Sequence, residues 1–146
     1  MTGGISKKVH FFSQSLNNPL KDRKKFKSFV DYILRQEGKR LNLISFVFCT
    51  DDELRKLNND FLQHDYYTDI LTFDLSENKR DVIADIYISI DRTKDNARSF
   101  SVSFLRELHR VMIHGVLHLC GYKDKKNSDI KEIRAKEDWY LAKYFD

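Results

Sequence analysis

The stretch that decides how this chain is interpreted is His114–Asp124, HGVLHLCGYKD. His114 and His118 stand four residues apart, a spacing that places both imidazoles on one face of an α-helix, one turn from each other. Zinc accepts imidazole nitrogens at about 2.0–2.1 Å, and catalytic zinc sites usually combine three protein ligands with water. The pair therefore predicts a metal site, although the spacing alone is equally compatible with two ordinary surface or core histidines.

The residues around the histidine pair favour the metal. The helix that carries them is strongly apolar, with Val111, Met112, Val116, Leu117 and Leu119. Imidazoles inside an apolar helix need polar partners. Gly121 is typical of a helix end and lets a following residue fold back over the ion. Asp124 is the nearest suitable donor, with Asp129 as the less favoured substitute.

The residue between the histidines argues against one class of enzyme. Zinc proteases of the H-E-x-x-H type use the glutamate as general base, and this chain has Gly115 there. Phosphodiester cleavage has no such requirement, because a metal can polarise a non-bridging oxygen or lower the pKa of water toward about 7. The lysines that follow, Lys123, Lys125 and Lys126, would offset charge on the phosphate and contact RNA. A metal-activated water and a 2′-hydroxyl remain alternative nucleophiles.

Four polar residues upstream are further candidates. Asp85 lies in an apolar strand and would act as a base or orient the site, or be a structural aspartate. Thr68 would hydrogen-bond a phosphate or cap a turn, and the same ambiguity applies to Asp69. His64 is a weaker candidate for RNA contact. Three tyrosines are candidates for stacking on unpaired bases: Tyr66, Tyr67 and Tyr122.

Hydrophobic periodicity predicts an α+β fold with about four strands and five helices. The predicted strands are Val9–Gln14, Leu41–Cys49, Asp69–Leu75 and Val82–Ser89, of which the last two form a hairpin. The predicted helices are Lys21–Gln36, a helix capped by Thr50 through Phe61, one capped by Asp91 through Arg98, one from Ser101 or Ser103 to Cys120, and Ser128–Tyr144. The metal site falls at the C-terminal end of the fourth helix.

Composition indicates one cytosolic domain, residues 1–146. Two cysteines give no disulfide framework, which is typical of a reducing compartment. No apolar run reaches the length of about 20 residues that spans a bilayer, and the N-terminus lacks the apolar core of a secretory signal. We therefore expect a cytoplasmic protein without a membrane partner.

The charge distribution contains two local basic clusters. The chain carries a formal net charge of +4. One cluster is Lys21–Lys27, and the other, Lys123–Lys126, directly follows the histidine pair. The second cluster fits a polyanion bound beside a metal, whereas the simpler interpretation of either cluster is a solvated lysine-rich surface.

Three segments together resemble one known family. Residues 114–122 match H-G-x-L-H-L-x-G-Y, the signature of the YbeY family, at every defined position. Leu57–Phe73, LNNDFLQHDYYTDILTF, is similar to the family's L-N-x-x-Y-R-x-x-D-x-x-T-D-V-L-S-F. Ala84–Ser89, ADIYIS, is similar to its G-D-I-x-I-S strand. The segments occur in the family's order between Leu57 and Tyr122.

The resemblance implies an α+β metal-dependent endoribonuclease specific for single-stranded RNA. The implied roles are 16S ribosomal RNA 3′-end maturation and ribosome quality control, with ribosomal RNA and the small ribosomal subunit as partners. It also implies one zinc ion at the end of a helix, held by His114, His118 and the residue at position 124. His114 is then also a catalytic residue, with Asp85 as a second candidate.

Two positions depart from the family pattern. The family has a third histidine where this chain has Asp124. A carboxylate still binds zinc, at about 2.0–2.2 Å, but two histidines and a carboxylate also suit iron, with nickel and manganese as further alternatives.

The second departure removes a guanidinium that would clamp phosphate, because Leu62 stands at the family's arginine. Arg55, Arg106 and Lys123 are the candidate replacements. Leu62 therefore keeps a second hypothesis open, a non-catalytic ribosome-assembly factor that binds RNA and whose metal is structural.

Overall fold

The fold is a mixed four-stranded sheet with helices on both faces. The structure is a computed structural model that describes residues 2–13 and 17–146. The strands are β1 (Val9–Ser13), β2 (Arg40–Cys49), β3 (Ile70–Asp74) and β4 (Asp81–Ser89). The helices are α1 (Thr2–Ser6), α2 (Arg23–Gln36), α3 (Asp51–Leu62), α4 (Ile90–Phe100), α5 (Phe104–Leu119) and α6 (Asn127–Phe145). The predicted α+β class is confirmed.

The strands follow the order β1-β2-β4-β3. The pairs β1–β2 and β2–β4 are parallel, so each needs a crossover, which α2 supplies for the first and α3 with β3 for the second. The β3–β4 pair is antiparallel, and the predicted hairpin is therefore confirmed.

Two details differ from the sequence predictions, and a third cannot be compared with the structure. Within the described ranges there are six helices rather than five, because the short α1 precedes β1. Gln14, predicted at the end of the first strand, lies outside the described residues. The predicted Asp91 cap is wrong. The Ser89 hydroxyl caps α4 by accepting a hydrogen bond from Arg92 N at 3.0 Å, and the Asp91 carboxylate instead accepts one from Asp51 N at 2.8 Å, at the start of α3.

The two faces of the sheet have different neighbours. Side chains alternate along a strand, so Ile86 and its buried relatives face the core between the sheet, α2 and α5, while α3 packs on the other face. α5 lies very close to the sheet at Gly115, where an added Cβ would come within 2.8 Å of Ile70 Cδ1. The two histidines lie beside this contact, on the side of α5 that meets α6.

In the part of the chain that the structure describes, no helix is both long enough and apolar enough to cross a membrane.

Candidate metal centre

Three side chains meet at the C-terminal half of α5. His114 Nε2 lies 2.8 Å from His118 Nε2, and Asp124 Oδ2 lies 3.3 Å and 3.2 Å from these two atoms. The three residues are the one group of potential metal ligands found among the described residues. Both imidazoles are largely buried, and the carboxylate closes the group from the loop that follows α5.

The outer nitrogens of the two imidazoles fix which nitrogen is available to a metal. His114 Nδ1 lies 2.5 Å from the Glu137 carboxylate, and His118 Nδ1 lies 2.9 Å from the carbonyl oxygen of Tyr122. These partners only accept, so each neutral ring carries its proton on Nδ1 and leaves a lone pair on Nε2. Two such lone pairs and a carboxylate oxygen that converge on one point repel one another unless a cation lies between them. The donor set therefore fits a bound metal ion.

The loop that supplies Asp124 is anchored to α2. Gly121 adopts φ 99°, in the left-handed region, and reverses the chain after the helix. The Tyr122 hydroxyl then donates to Glu37 Oε1 at 2.8 Å, and the Tyr140 hydroxyl donates to Glu37 Oε2 at 2.5 Å. Burial alone would raise the pKa of Glu37, but these phenol donors outweigh it and lower the pKa. The Tyr122 carbonyl, which accepts from His118 Nδ1, is thus held in place by the hydrogen bond between the Tyr122 side chain and Glu37.

A cavity of about 320 Å³ between α4, α5 and α6 is lined by two of the three potential ligands, His114 and Asp124. Its ionisable lining consists of four carboxyl groups, two guanidinium groups and one imidazole: Asp69, Glu107, Asp124, Glu137, Arg110, Arg134 and His114. Burial raises the pKa of both Asp69 and Glu107. Carboxylates outnumber guanidinium groups in this enclosed space, so a divalent cation would offset the excess negative charge.

Glu137 is a residue of the candidate site that the sequence did not reveal. It is 97% buried, and Arg110 donates to it from Nη1 to Oε1 at 2.9 Å. Burial opposes protonation of His114, but the hydrogen bond and charge of Glu137 outweigh it and raise the pKa of the imidazole. The available signal was an acid on the buried stripe of α6 that contains Ile133 and Tyr140, since such an acid needs a partner.

The structure places the predicted RNA contacts with unequal support. Lys123, Lys125 and Lys126 are exposed in the loop that carries Asp124. Thr68 donates to the carbonyl of Ile70 at 3.3 Å, as a turn cap does. His64 is exposed and stacks on Tyr66, with 5.3 Å between the ring centroids. Asp129, the substitute ligand, accepts at 3.4 Å from the backbone N–H of Lys126 at the start of α6 and lies outside the ligand group.

Asp85 is not brought to the metal centre. It pairs with Phe73 and alternates along β4 with Ile86, whose side chain faces α5 at Gly115. Asp85 therefore points to the opposite face of the sheet, and it does not line the cavity. The geometry gives no support to its expected catalytic role.

One arginine side chain that lines the cavity was not among the replacements predicted for the missing arginine. Arg55 pairs with Asp65 at 2.9 Å, and Arg106 lies over the ring of Phe145, so neither lines the cavity. Arg134 of α6 does line it, with its guanidinium 5.5 Å from the centroid of the Phe100 ring.

A helical histidine pair, a carboxylate from the next loop and a buried acid behind one imidazole define an α+β protein with a candidate metal centre. Comparison with known families identifies the family to which this fold belongs. The chain belongs to the family described as Endoribonuclease YbeY, whose model matches residues 11–145.

Individual relatives cover nearly the whole chain. The Endoribonuclease YbeY of Cytophaga hutchinsonii is 45% identical over 134 residues, which cover 92% of this chain and 94% of that protein. That of Porphyromonas gingivalis is 41% identical over 135 residues, covering 92% and 89%. The solution structure of TM1509 from Thermotoga maritima matches with a TM-score of 0.64 and 29% identity, covering 94% of this chain and 89% of that one. The fold and its length are therefore those of the family.

Proposed function

We propose that this protein is a metal-dependent endoribonuclease that cuts single-stranded RNA. The observation that carries the proposal is the convergence of His114, His118 and Asp124 beside a cavity that His114 and Asp124 line, in a chain whose relatives are named Endoribonuclease YbeY. We infer zinc as the metal, with iron, nickel or manganese as the alternatives that two imidazoles and a carboxylate also suit. We place the activity in the cytoplasm, in 16S ribosomal RNA 3′-end maturation and ribosome quality control on the small ribosomal subunit.

The protein's own residues would perform distinct tasks at this site. A metal held by the three ligands would supply Lewis-acid polarisation of a phosphate oxygen. Glu137 holds the proton on His114 Nδ1 and so keeps Nε2 available. Arg134 offers its guanidinium to the phosphate inside the cavity, in place of the arginine that Leu62 replaces.

Asp69 is the proposed proton acceptor. It lines the same cavity as His114, and Asn96 Nδ2 donates to its Oδ2 at 3.1 Å. Burial raises the pKa of Asp69, which brings it closer to the operating pH that favours general base catalysis. It would take the proton from the attacking hydroxyl.

The test compares metal content with RNA cleavage. The purified protein, with its metal content measured, is incubated with an unstructured RNA beside His114→Ala and Asp124→Ala. We expect both variants to lose cleavage by at least about a hundredfold, the order found when one electrostatic group is removed from an active site. His10→Ala, which removes a histidine outside the ligand group, is the matched control. Cleavage that persists in both variants would rule out the proposed metal chemistry.

One observation favours the second candidate, a ribosome-assembly factor with a structural metal. Leu62, at the position of the family's arginine, is exposed at the end of α3 and offers no cation. RNA binding by the metal-loaded protein without cleavage would support this second function.

A further inference from the structure

A second cavity, of about 580 Å³, is unusually rich in positive charge. It lies where β2 begins, beside the C-terminal end of α2. Five cations and one carboxylate line it: Lys8, Arg35, Lys39, Arg40, Arg80 and Asp31. We call this cavity the basic groove. The whole chain has an excess of only +4, so the groove concentrates charge that is nearly balanced elsewhere.

Two of the five cations are engaged in ion pairs. Arg40 pairs with Asp81 at 2.6 Å, and Arg35 pairs with Asp31 at 2.9 Å.

The other three cations are not neutralised by an ion pair within the described part of the chain. Lys8 and Arg80 are exposed and form no salt bridge there, and Lys39 donates to the uncharged backbone carbonyl of Lys79. Like charges gathered around one concave surface repel each other and raise the local concentration of anions. The groove is therefore suited to a ligand with several negative charges.

Lys39 lies between the basic groove and the C-terminal end of α5. It also lines a smaller cavity, of about 340 Å³, together with Leu119, the residue that follows His118. Two residues before Lys39, the Glu37 carboxylate holds Tyr122 in the ligand loop. The groove therefore lies near the end of α5 that carries the histidines, and the smaller cavity between them also contains the carboxylates of Asp74 and Glu77.

We propose that the basic groove binds the sugar-phosphate backbone of the same RNA strand that is cut at the metal centre, on a segment away from the scissile bond. This inference rests on the proposed function. Ammonium and guanidinium groups bind phosphates without reading sequence. Among the described residues, no aromatic ring lines the groove, so base stacking is not expected there. The groove therefore sets affinity and the position of the strand, while the metal cavity selects the bond.

The experiment removes the three unneutralised cations together, as Lys8→Gln, Lys39→Gln and Arg80→Gln. The control removes the same charge from the start of α2, outside the groove, as Lys21→Gln, Arg23→Gln and Lys24→Gln. Binding of a fluorescent unstructured RNA to metal-free protein is measured by anisotropy at several salt concentrations. Each contact with a single-stranded phosphate adds about 0.7 to the slope of log K against log salt, so the groove variant should lose a slope of about 2. The control variant should keep the slope of the parent.

Each result has a defined meaning, provided that thermal unfolding shows both variants to be folded. An unchanged slope in the groove variant, or the same loss in both variants, would overturn the inference even if the parent cuts RNA. A groove-dependent slope in a protein that never cuts RNA would support phosphate binding by the groove and contradict the proposed nuclease. If the parent binds no RNA, both fail, and binding of an acidic peptide in the same assay would then assign the groove to a protein partner.

Discussion

Among single residues, Asp124 most distinguishes this chain from the family pattern. Its carboxylate adds negative charge to a cavity that already contains three other carboxyl groups. We predict that Asp124→Ala weakens metal binding by more than about tenfold, the lower bound for residues that only support a ligand. Asp124→His should retain one ion per chain, because an imidazole replaces one donor with another. Chelator competition and metal analysis provide the measurement, and an Asp124→Ala protein with the parent's affinity would show that Asp124 is no ligand.

A substitution of Glu137 tests whether the hydrogen-bond partner of a metal ligand affects metal affinity. Glu137→Gln removes the charge that accepts from His114 Nδ1, so metal affinity should fall by about 10–100-fold. Asp138→Asn is the matched control, because Asp138 pairs with the same Arg110 but is exposed and does not contact the histidine. Isothermal titration of zinc into metal-free protein measures both. Equal losses in the two variants would assign the effect to Arg110 instead.

For the secondary-structure elements, the contact between α5 and the sheet is the most sensitive to a single methyl group. Gly115→Ala would put a Cβ 3.1 Å from Ile86 Cγ2 as well as close to Ile70 Cδ1. The Ile70 terminus can rotate away, but Ile86 is branched at Cβ and cannot. We predict a net loss of about 1–2 kcal/mol in the free energy of unfolding, because overpacking outweighs the gain in helix propensity.

Denaturant unfolding measures this change. Gly4→Ala is the control, since an added Cβ there meets nothing within 4 Å. A Gly115→Ala protein as stable as the parent would mean that α5 can lift from the sheet at no cost.

α5 also carries a buried histidine that makes stability depend on pH. Burial lowers the pKa of His109 from its ordinary value of 6.5, and its Nε2 has no hydrogen-bond partner. Below pH 6.5 the histidine of the unfolded chain binds a proton, whereas the buried imidazole of the folded chain stays neutral. Protonation therefore favours the unfolded state, and stability decreases as the pH falls. We predict that His109→Leu reduces this acid dependence, by up to about 1.4 kcal/mol per pH unit.

Urea unfolding of parent and variant between pH 7 and pH 5 measures the difference. Replacement of the exposed His64 by leucine is the control. Parallel pH curves for parent and His109→Leu would contradict the assignment.

The elements that sequence reasoning found are those whose signals are local. Thr50 and Glu53 form the predicted capping box at the start of α3, with the Thr50 hydroxyl 3.2 Å from Glu53 N. The α1 helix was not predicted, because a segment of five residues with two glycines has little helix propensity of its own. A tertiary bond supports it, from Lys27 Nζ to the carbonyl of Ser6 at 3.1 Å.

For the molecule as a whole, some parts of the site are encoded by local sequence and others arise only from tertiary packing. The three potential ligands lie within eleven residues of one another, and the spacing of that segment was enough to predict them together. Glu137 is 23 residues from His114, and Glu37 is 85 residues from Tyr122. Only the packing of α6 and α2 against α5 creates these contacts, and no periodicity within one element encodes them.

Metal binding should consequently stabilise the entire fold. The ligands and their supports come from α5, the loop after it, α6 and, through Glu37, the end of α2. An ion that binds only the folded state adds about 2.7 kcal/mol at a hundred times its Kd. For a chain of this length, that corresponds to a rise in Tm of roughly 5–11 °C. Calorimetry of the zinc-loaded and chelator-treated protein measures the shift. His118→Ala, which removes one ligand, should unfold at nearly the same temperature with and without zinc. If zinc does not change the Tm of the parent, or if it raises the Tm of His118→Ala as much as that of the parent, these three residues do not bind the ion.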